Sequence, residues 1–274
     1  MAINLSTKSA NELVQAAALE ASVLTGALSE EYDFVGAKTV KVVTAVTQDM
    51  NDYQRTGMNR YGTPTEVQDT VQEMTLTQDK GFSLTVDKGN LKDQNNLKKA
   101  EKILRLQVKE KALPLYDTYV LAQLKANAGT TSTALKLTKT NVVEAIMDGG
   151  AALDDAEIPS EGRTLFISAK AYKFLKISEE FIQLDKLGTK SVTKGLVGEI
   201  DGMRVVKVPS GRMPSNTAFI IVHKESATAP KKLADAKIHQ DPPGLSGNLI
   251  EGRWYYDAFV LEARAKGVYA HIEA

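Results

Sequence analysis

From Gln94 to Ala126 the chain reads QNNLKKAEKILRLQVKEKALPLYDTYVLAQLKA, a helical pattern with a proline in its middle and no glycine. Leu97, Ala100, Leu104, Val108, Ala112, Leu115, Tyr119 and Ala122 recur every three or four residues, one continuous stripe, and Ile103, Leu106, Leu113, Tyr116 and Val120 widen it. At about 1.5 Å per residue such a helix is on the order of 45 Å long. That is well beyond the roughly 11–12 residues of an average globular helix, so the fold must be organised along it. Pro114 lacks an N–H and crowds the turn before it. A bend is therefore expected between Glu110 and Leu113, the alternative being two helices that meet there. Lys98, Lys99, Lys102, Arg105, Lys109 and Lys111 set against Glu101 and Glu110 read as a solvated face, with a nucleic-acid-facing stripe as the alternative.

The segments before this helix differ sharply from one another. Asn11 to Ala21 reads as a short helix in an arm too poor in large apolar groups to hold a core. Lys38 to Thr47, with its β-branched residues, reads as a strand. Gln48 to Glu73 carries Gly57, Gly62 and Pro64 and no apolar face, so it is expected to be an extended two-stranded flap that lies on a neighbour. Met74 to Asp87 reads as one strand, with Phe82, Leu84 and Val86 alternating against Ser83, Thr85 and Asp87.

After Asn127 the stretch AGTTSTA marks a boundary, and an α/β unit follows. Thr138 or Thr140 is expected to cap a helix through Leu153. RTLFIS (Arg163–Ser168) is a strand, Ser168 caps a short helix, and Ile182 to Val197 is rich in Lys and Gly. Ile200 to Val208, with a turn at Asp201-Gly202, and Ala218 to His223 are further strands. Pro230 to Gly247 reads as loop, and Leu249 to Ile272 as two aromatic strands turning near Lys266-Gly267.

Composition narrows the chemistry. Thirty-four basic residues balance 34 acidic ones in a chain of 274, which gives no sign of a dedicated nucleic-acid binder. With no cysteine there is no disulfide, thiolate metal site or Cys nucleophile. No run approaches the roughly 18 apolar residues of a membrane span, and the N-terminus lacks the pattern of a signal peptide. The three histidines, His223, His239 and His271, have no metal-ligand spacing. The glycines at Gly195, Gly198 and Gly202 precede a strand instead of following one, unlike a dinucleotide fingerprint. Asp154, Asp155 and Glu157 cluster at a helix end before Pro159. No catalytic, cofactor-binding or metal residue is nominated, and no cofactor is expected.

The strand and turn TLTQDKGFSLTVDKGN, the helix from Gln94, GLVGEIDGMRVVKVPS and the closing IEGRWYYDAFVLEARAKGVYAHI come in an order that resembles the major capsid protein of tailed bacteriophages. This is the Hong Kong 97-type shell fold, shared with encapsulins and herpesvirus capsids. The resemblance covers nearly the whole chain. It implies an α+β fold with an N-terminal arm and first strand (1–47), an extended loop (48–74), a peripheral domain (75–136) around a spine helix at 94–126, an α/β axial domain (137–244), and return strands of the peripheral domain (245–274). It implies a protein that is not an enzyme and that assembles with itself, as pentamers and hexamers, into an icosahedral shell enclosing double-stranded DNA. A separate scaffolding protein and a portal are the expected partners, with assembly in the host cytoplasm and no membrane partner. Tyr53, Arg55, Arg60 and Tyr61 become intersubunit contacts, Lys98, Lys102, Arg105 and Lys109 an inner-surface stripe that meets DNA non-specifically, and Pro114 the spine-helix bend. Some family members cross-link through a lysine of the extended loop; 48–74 contains none. Two other readings are an encapsulin-type nanocompartment and a soluble α/β enzyme or ligand-binding domain.

Overall fold

The computed structural model describes residues 22–30, 32, 39–45, 50–64, 66, 69–88, 100–178 and 196–273. The arm helix at 11–21, the start of the long helix, Lys98 and most of 182–197 lie outside the described residues.

The flap stem is an antiparallel pair, β1 (Thr39–Ala45) and β2 (Asp69–Thr75), with Thr39 opposite Thr75 and Val43 opposite Val71. The strand expected from Met74 to Asp87 is broken. Leu76, 1% exposed, turns into the core, Thr77 leaves the ladder to donate its N–H to Asp257, and β3 (Gln78–Asp87) begins afresh. β3 pairs antiparallel with β11 (Gly247–Tyr256), which pairs in turn with β10 (Lys231–Gln240). The sequence reading makes 230–247 a loop, and the structure corrects it. KKLADAKIHQ is short of large apolar residues, so its periodicity is faint, but a ladder along the whole of β11 supplies the hydrogen bonds that define the strand. At the centre of this sheet Phe82 lies opposite Gly252, where any Cβ would come within 2.5 Å of the Phe82 ring; the glycine lets the ring cross the strand.

The long helix runs α1 (Ala100–Gln107), a π turn (Val108–Ala112) and α2 (Leu113–Ala126). Helical φ/ψ continue through Ala112 and Leu113, so the chain does not break into two helices there. The N–H of Leu113 reaches back five residues to the Val108 carbonyl. Directly after it stands Pro114, which has no N–H to offer and would clash with the carbonyl four residues earlier; the wider turn accommodates both. The consequence is a shift of phase. Buried positions run Ala100, Leu104, Val108, then Leu113, Tyr116, Val120 and Leu124. The continuous stripe expected through Ala112, Leu115, Tyr119 and Ala122 is therefore rotated, and Leu115 is left 52% exposed.

The second sheet has six strands in the order β4-β13-β8-β5-β7-β6. These are β4 (Thr130–Thr131), β5 (Arg163–Ser168), β6 (Leu196–Ile200), β7 (Met203–Val208), β8 (Thr217–His223) and β13 (Val268–Ile272), while β9 (Ala227–Thr228) and β12 (Phe259–Val260) form a short antiparallel pair of their own. Asp201 and Gly202, both at positive φ (50° and 70°), make the two-residue turn joining β6 to β7. Alternate residues serve two cores. Phe166, Val206, Ile220 and Val268 pack with the spine helix and the three-stranded sheet, whereas Leu165, Val205, Phe219 and Tyr269 pack with α3 (Val142–Asp155) and α4 (Ala169–Ile177). Ser168 caps α4 by accepting from the Ala171 N–H at 3.2 Å. On α3 the N-cap residue is Asn141, whose side chain accepts from Thr138 and leaves the helix uncapped. Sheet membership crosses the residue ranges implied by the resemblance: β10, within 137–244, lies beside β11 in the three-stranded sheet, and the last strand, β13, lies in the six-stranded one.

Candidate functional site

The flap stem has two unlike faces. Val42, Met74 and Leu76 point inward and cluster with Leu261, against which Val40, Tyr255 and Phe259 pack. The outer face carries the Lys41–Glu73 ion pair at 2.7 Å and the cross-strand pair Val43 and Val71, 59% and 52% exposed. Gln72 secures the base. Its amide donates to the Val260 carbonyl at 2.9 Å and accepts from the Glu262 N–H at 3.1 Å.

Beyond the stem every residue from Met50 to Tyr61 is exposed. The tip is held by little: Gln54 N–H to the Arg60 carbonyl at 3.0 Å, and Gly62 N–H to the Asn59 carbonyl at 2.9 Å. Of the nominated contact residues, Tyr53 and Tyr61 meet edge to face with ring centroids 5.0 Å apart. Arg60 folds back to donate to the Gly57 carbonyl, and Arg55 stands exposed. Two residues that the sequence reading passed over are equally prominent: Met50 and Met58 are 98% and 95% exposed. A methionine inside a polar stretch was the available signal, since a flexible thioether has no reason to stand in water.

Lys102, Arg105 and Lys109 are exposed on the spine helix at spacings that place them along one side, with Glu101 and Glu110 among them. Pro114 sits at the first turn of α2, immediately after the π turn.

Two buried carboxylates, neither nominated from sequence, fasten the parts together. Asp117 on α2 has no exposed surface; it accepts from Ser22 Oγ at 2.8 Å, the Val23 N–H at 3.3 Å and Arg212 at 2.9 Å. Burial pushes its carboxyl above the usual range, against the pull of those partners. Asp257, 3% exposed, accepts from Thr77 N–H and Oγ1, both at 2.8 Å, from Tyr119 Oη at 2.7 Å and from the Ala258 N–H at 2.8 Å. Burial and the Asp257 carboxylate raise the Tyr119 hydroxyl above its ordinary value. Each carboxylate is saturated by structural donors, which is the arrangement of a fastening and not of an acid or base awaiting a substrate.

The remaining polar surface is laced with pairs. On the outer face of the three-stranded sheet Arg253 grips Asp79 through two hydrogen bonds, 2.8 and 2.5 Å, and His239 faces Glu251 at 3.2 Å. Arg163, 4% exposed, is spent on the end of α3, donating to Asp154 at 2.7 Å and to the Pro159 carbonyl at 2.9 Å. His223 and His271 each contact a backbone carbonyl, of Glu161 and Leu135 respectively. Among the described residues no group of three His, Asp or Glu could hold a metal ion. Nor is any helix of those residues long and apolar enough to cross a membrane.

No family model and no curated protein matches the chain by sequence. Solved structures match it over most of its length. A structure from Mycobacterium phage Che8 has a TM-score of 0.71 at 18% identity, covering 91% of this chain and 90% of that one. The capsid structure of cyanophage P-SCSP1u gives 0.66 at 15% identity over 87% and 84%. The virus-like particle from Pyrococcus furiosus gives 0.60 at 12% identity over 97% and 98%. At these identities the likeness is one of fold: this is a capsid fold of the tailed-phage class. The flap, the strand β3, the spine helix and the α/β unit follow one another in the chain order expected from the sequence.

Proposed function

We propose that this chain is the repeating subunit, the major capsid protein, of a tailed-bacteriophage shell. It assembles with itself as pentamers and hexamers, in the host cytoplasm and with a separate scaffolding protein and portal, into an icosahedral container for double-stranded DNA. One observation carries this reading beyond the fold: on a stem latched to its own subunit the flap holds out a tip in which every residue from Met50 to Tyr61, tyrosines and methionines included, is exposed. Exposed apolar groups held out on a ribbon are intersubunit contacts, and Tyr53, Arg55, Arg60 and Tyr61 belong to that set. The spine helix with the three-stranded sheet forms the peripheral part, and the six-stranded sheet with α3 and α4 forms the axial part. Lys98, Lys102, Arg105 and Lys109 face the packaged DNA, neutralising phosphates without reading sequence. The π turn before Pro114 is the bend of the spine.

Electron microscopy of the purified chain across assembly conditions tests this: closed shells are expected, and monomers or small oligomers throughout would overturn it. The fold is also shared, over 97% of this chain and 98% of that one, with a virus-like particle from Pyrococcus furiosus, and a second reading keeps the shell and changes its contents, an encapsulin-type compartment holding protein cargo. Particles purified from the native source separate the two, since double-stranded DNA inside supports the phage reading and a protein cargo without DNA the other.

A further inference from the structure

An open groove of about 110 Å³ lies between the spine helix and the inner face of the three-stranded sheet. Phe82, Ala112, Leu115, Trp254 and Tyr256 line it, and Lys80 and Lys111 stand at its rim. Its size decides what it can hold. Small-molecule sites run to about 300–1,000 Å³, whereas an apolar cavity of about 150 Å³ takes one benzene-sized group. This groove fits a single side chain. Its lining is also incomplete. Trp254 is 4% exposed, yet its Nε1–H has no acceptor among the described residues. Leu115 forms one wall because the π turn has rotated it out of the core. Lys80 and Lys111 are exposed and paired with no carboxylate among the described residues, so the rim is cationic.

We propose that this groove is the socket for Met50 of a second copy of this chain. The inference rests on the shell reading and names the seat of the flap tip. Met50 is 98% exposed in its own subunit, so its side chain has no packing there. A thioether suits a pocket walled by Phe, Trp and Tyr, because sulfur packs favourably on aromatic rings. Charge chooses between the two exposed methionines. Met50 is flanked in sequence by Asp49 and Asp52, which complement Lys80 and Lys111. Met58 lies between Arg55 and Arg60, which would bring like charge to the same rim.

Trp254 is the only tryptophan of the chain, so its fluorescence reports the socket directly. On assembly of the wild-type protein its emission is expected to shift. Met50→Ala is expected to raise the protein concentration needed for assembly roughly tenfold, the loss of one buried apolar group per contact. Met58→Ala should change it less than about twofold. The double variant Lys80→Glu/Lys111→Glu should assemble poorly, and adding Asp49→Lys/Asp52→Lys should restore assembly, which only a direct charge pairing achieves. Wild-type shells that form with unchanged Trp254 emission, or Met50→Ala shells that form as readily as wild type, overturn the socket and leave the shell reading intact. A wild-type chain that never assembles overturns both.

Discussion

Strand Arg163–Ser168 and the flap tip Met50–Tyr61 are opposites within one chain: every residue of the first is buried, every residue of the second exposed. The strand has a hydrogen-bonded neighbour on each side, β7 and β8, and a core on each face. Its centre, Leu165, Phe166 and Ile167, is accordingly apolar on both faces. The tip has two aromatic rings leaning on one another and a few backbone bonds. One region finishes its folding inside the subunit; the other holds tyrosine and methionine out in water.

The contrast breaks most visibly under mutation. Phe219, fully buried and stacked on Tyr269 and His271, should cost about 3–5 kcal/mol of unfolding free energy when cut to Ala, as read by chemical denaturation. Replacing Met50–Pro64 by a two-residue Asn-Gly turn should leave subunit stability within about 0.5 kcal/mol while abolishing assembly. The excision has to stop short of β2, because Met74 and Leu76 are core residues. If removing the tip destabilises the subunit as much as Phe219→Ala does, the tip is part of the fold and the contrast is wrong.

A smaller effect belongs to the join between the two regions. Gln72 makes both of its amide bonds to the 260–262 segment. Gln72→Ala should cost about 1–2 kcal/mol and raise amide hydrogen exchange in β1 and β2 while β5 stays protected. Equal exchange in both would show that the stem is not held separately from the α/β unit.

How far the sequence was legible follows the same division. Where neighbours in sequence decide the structure, reading succeeded: β5 spans Arg163–Ser168 with Ser168 capping the helix after it, and Asp201-Gly202 is a turn between strands. Where distant contacts decide, reading slipped. β10 owes its existence to β11, and KKLADAKIHQ alone gives no strand signal. A helix stripe of constant period misses the extra residue in the turn before Pro114, and that residue changes which leucines are buried. Of the candidate site, the tyrosines and arginines of the polar loop can be nominated from sequence, and the structure shows them exposed. Met50, Met58, Asp117 and Asp257 are not nominated, because single residues carry no period and their roles appear only once the chain has folded around them.

Asp117 sharpens the comparison most finely, because it acts through charge and is invisible to shape. It ties Ser22 and Val23 of the arm and Arg212 of the α/β unit to the spine helix. Burial raises its folded value above the ordinary 3.8. Over the interval from 3.8 up to that raised value the folded chain holds a proton the unfolded chain has released, so stability falls as pH rises through it. Asp79 and Asp241, exposed and held low by Arg253 and Lys88, run the other way and lose stability as pH falls below 3.8. Whole-protein profiles mix these trends, and Asp117→Asn separates them. The Asn variant carries a constant offset from its altered pairing with Arg212, but it lacks the titration. Its stability relative to wild type should therefore improve as pH rises from 3.8 to that raised value and level off above it, measured by denaturant unfolding at successive pH values. Parallel profiles would mean that Ser22, Val23 and Arg212 offset burial fully, making the arm's anchor as indifferent to pH as the apolar core beneath it.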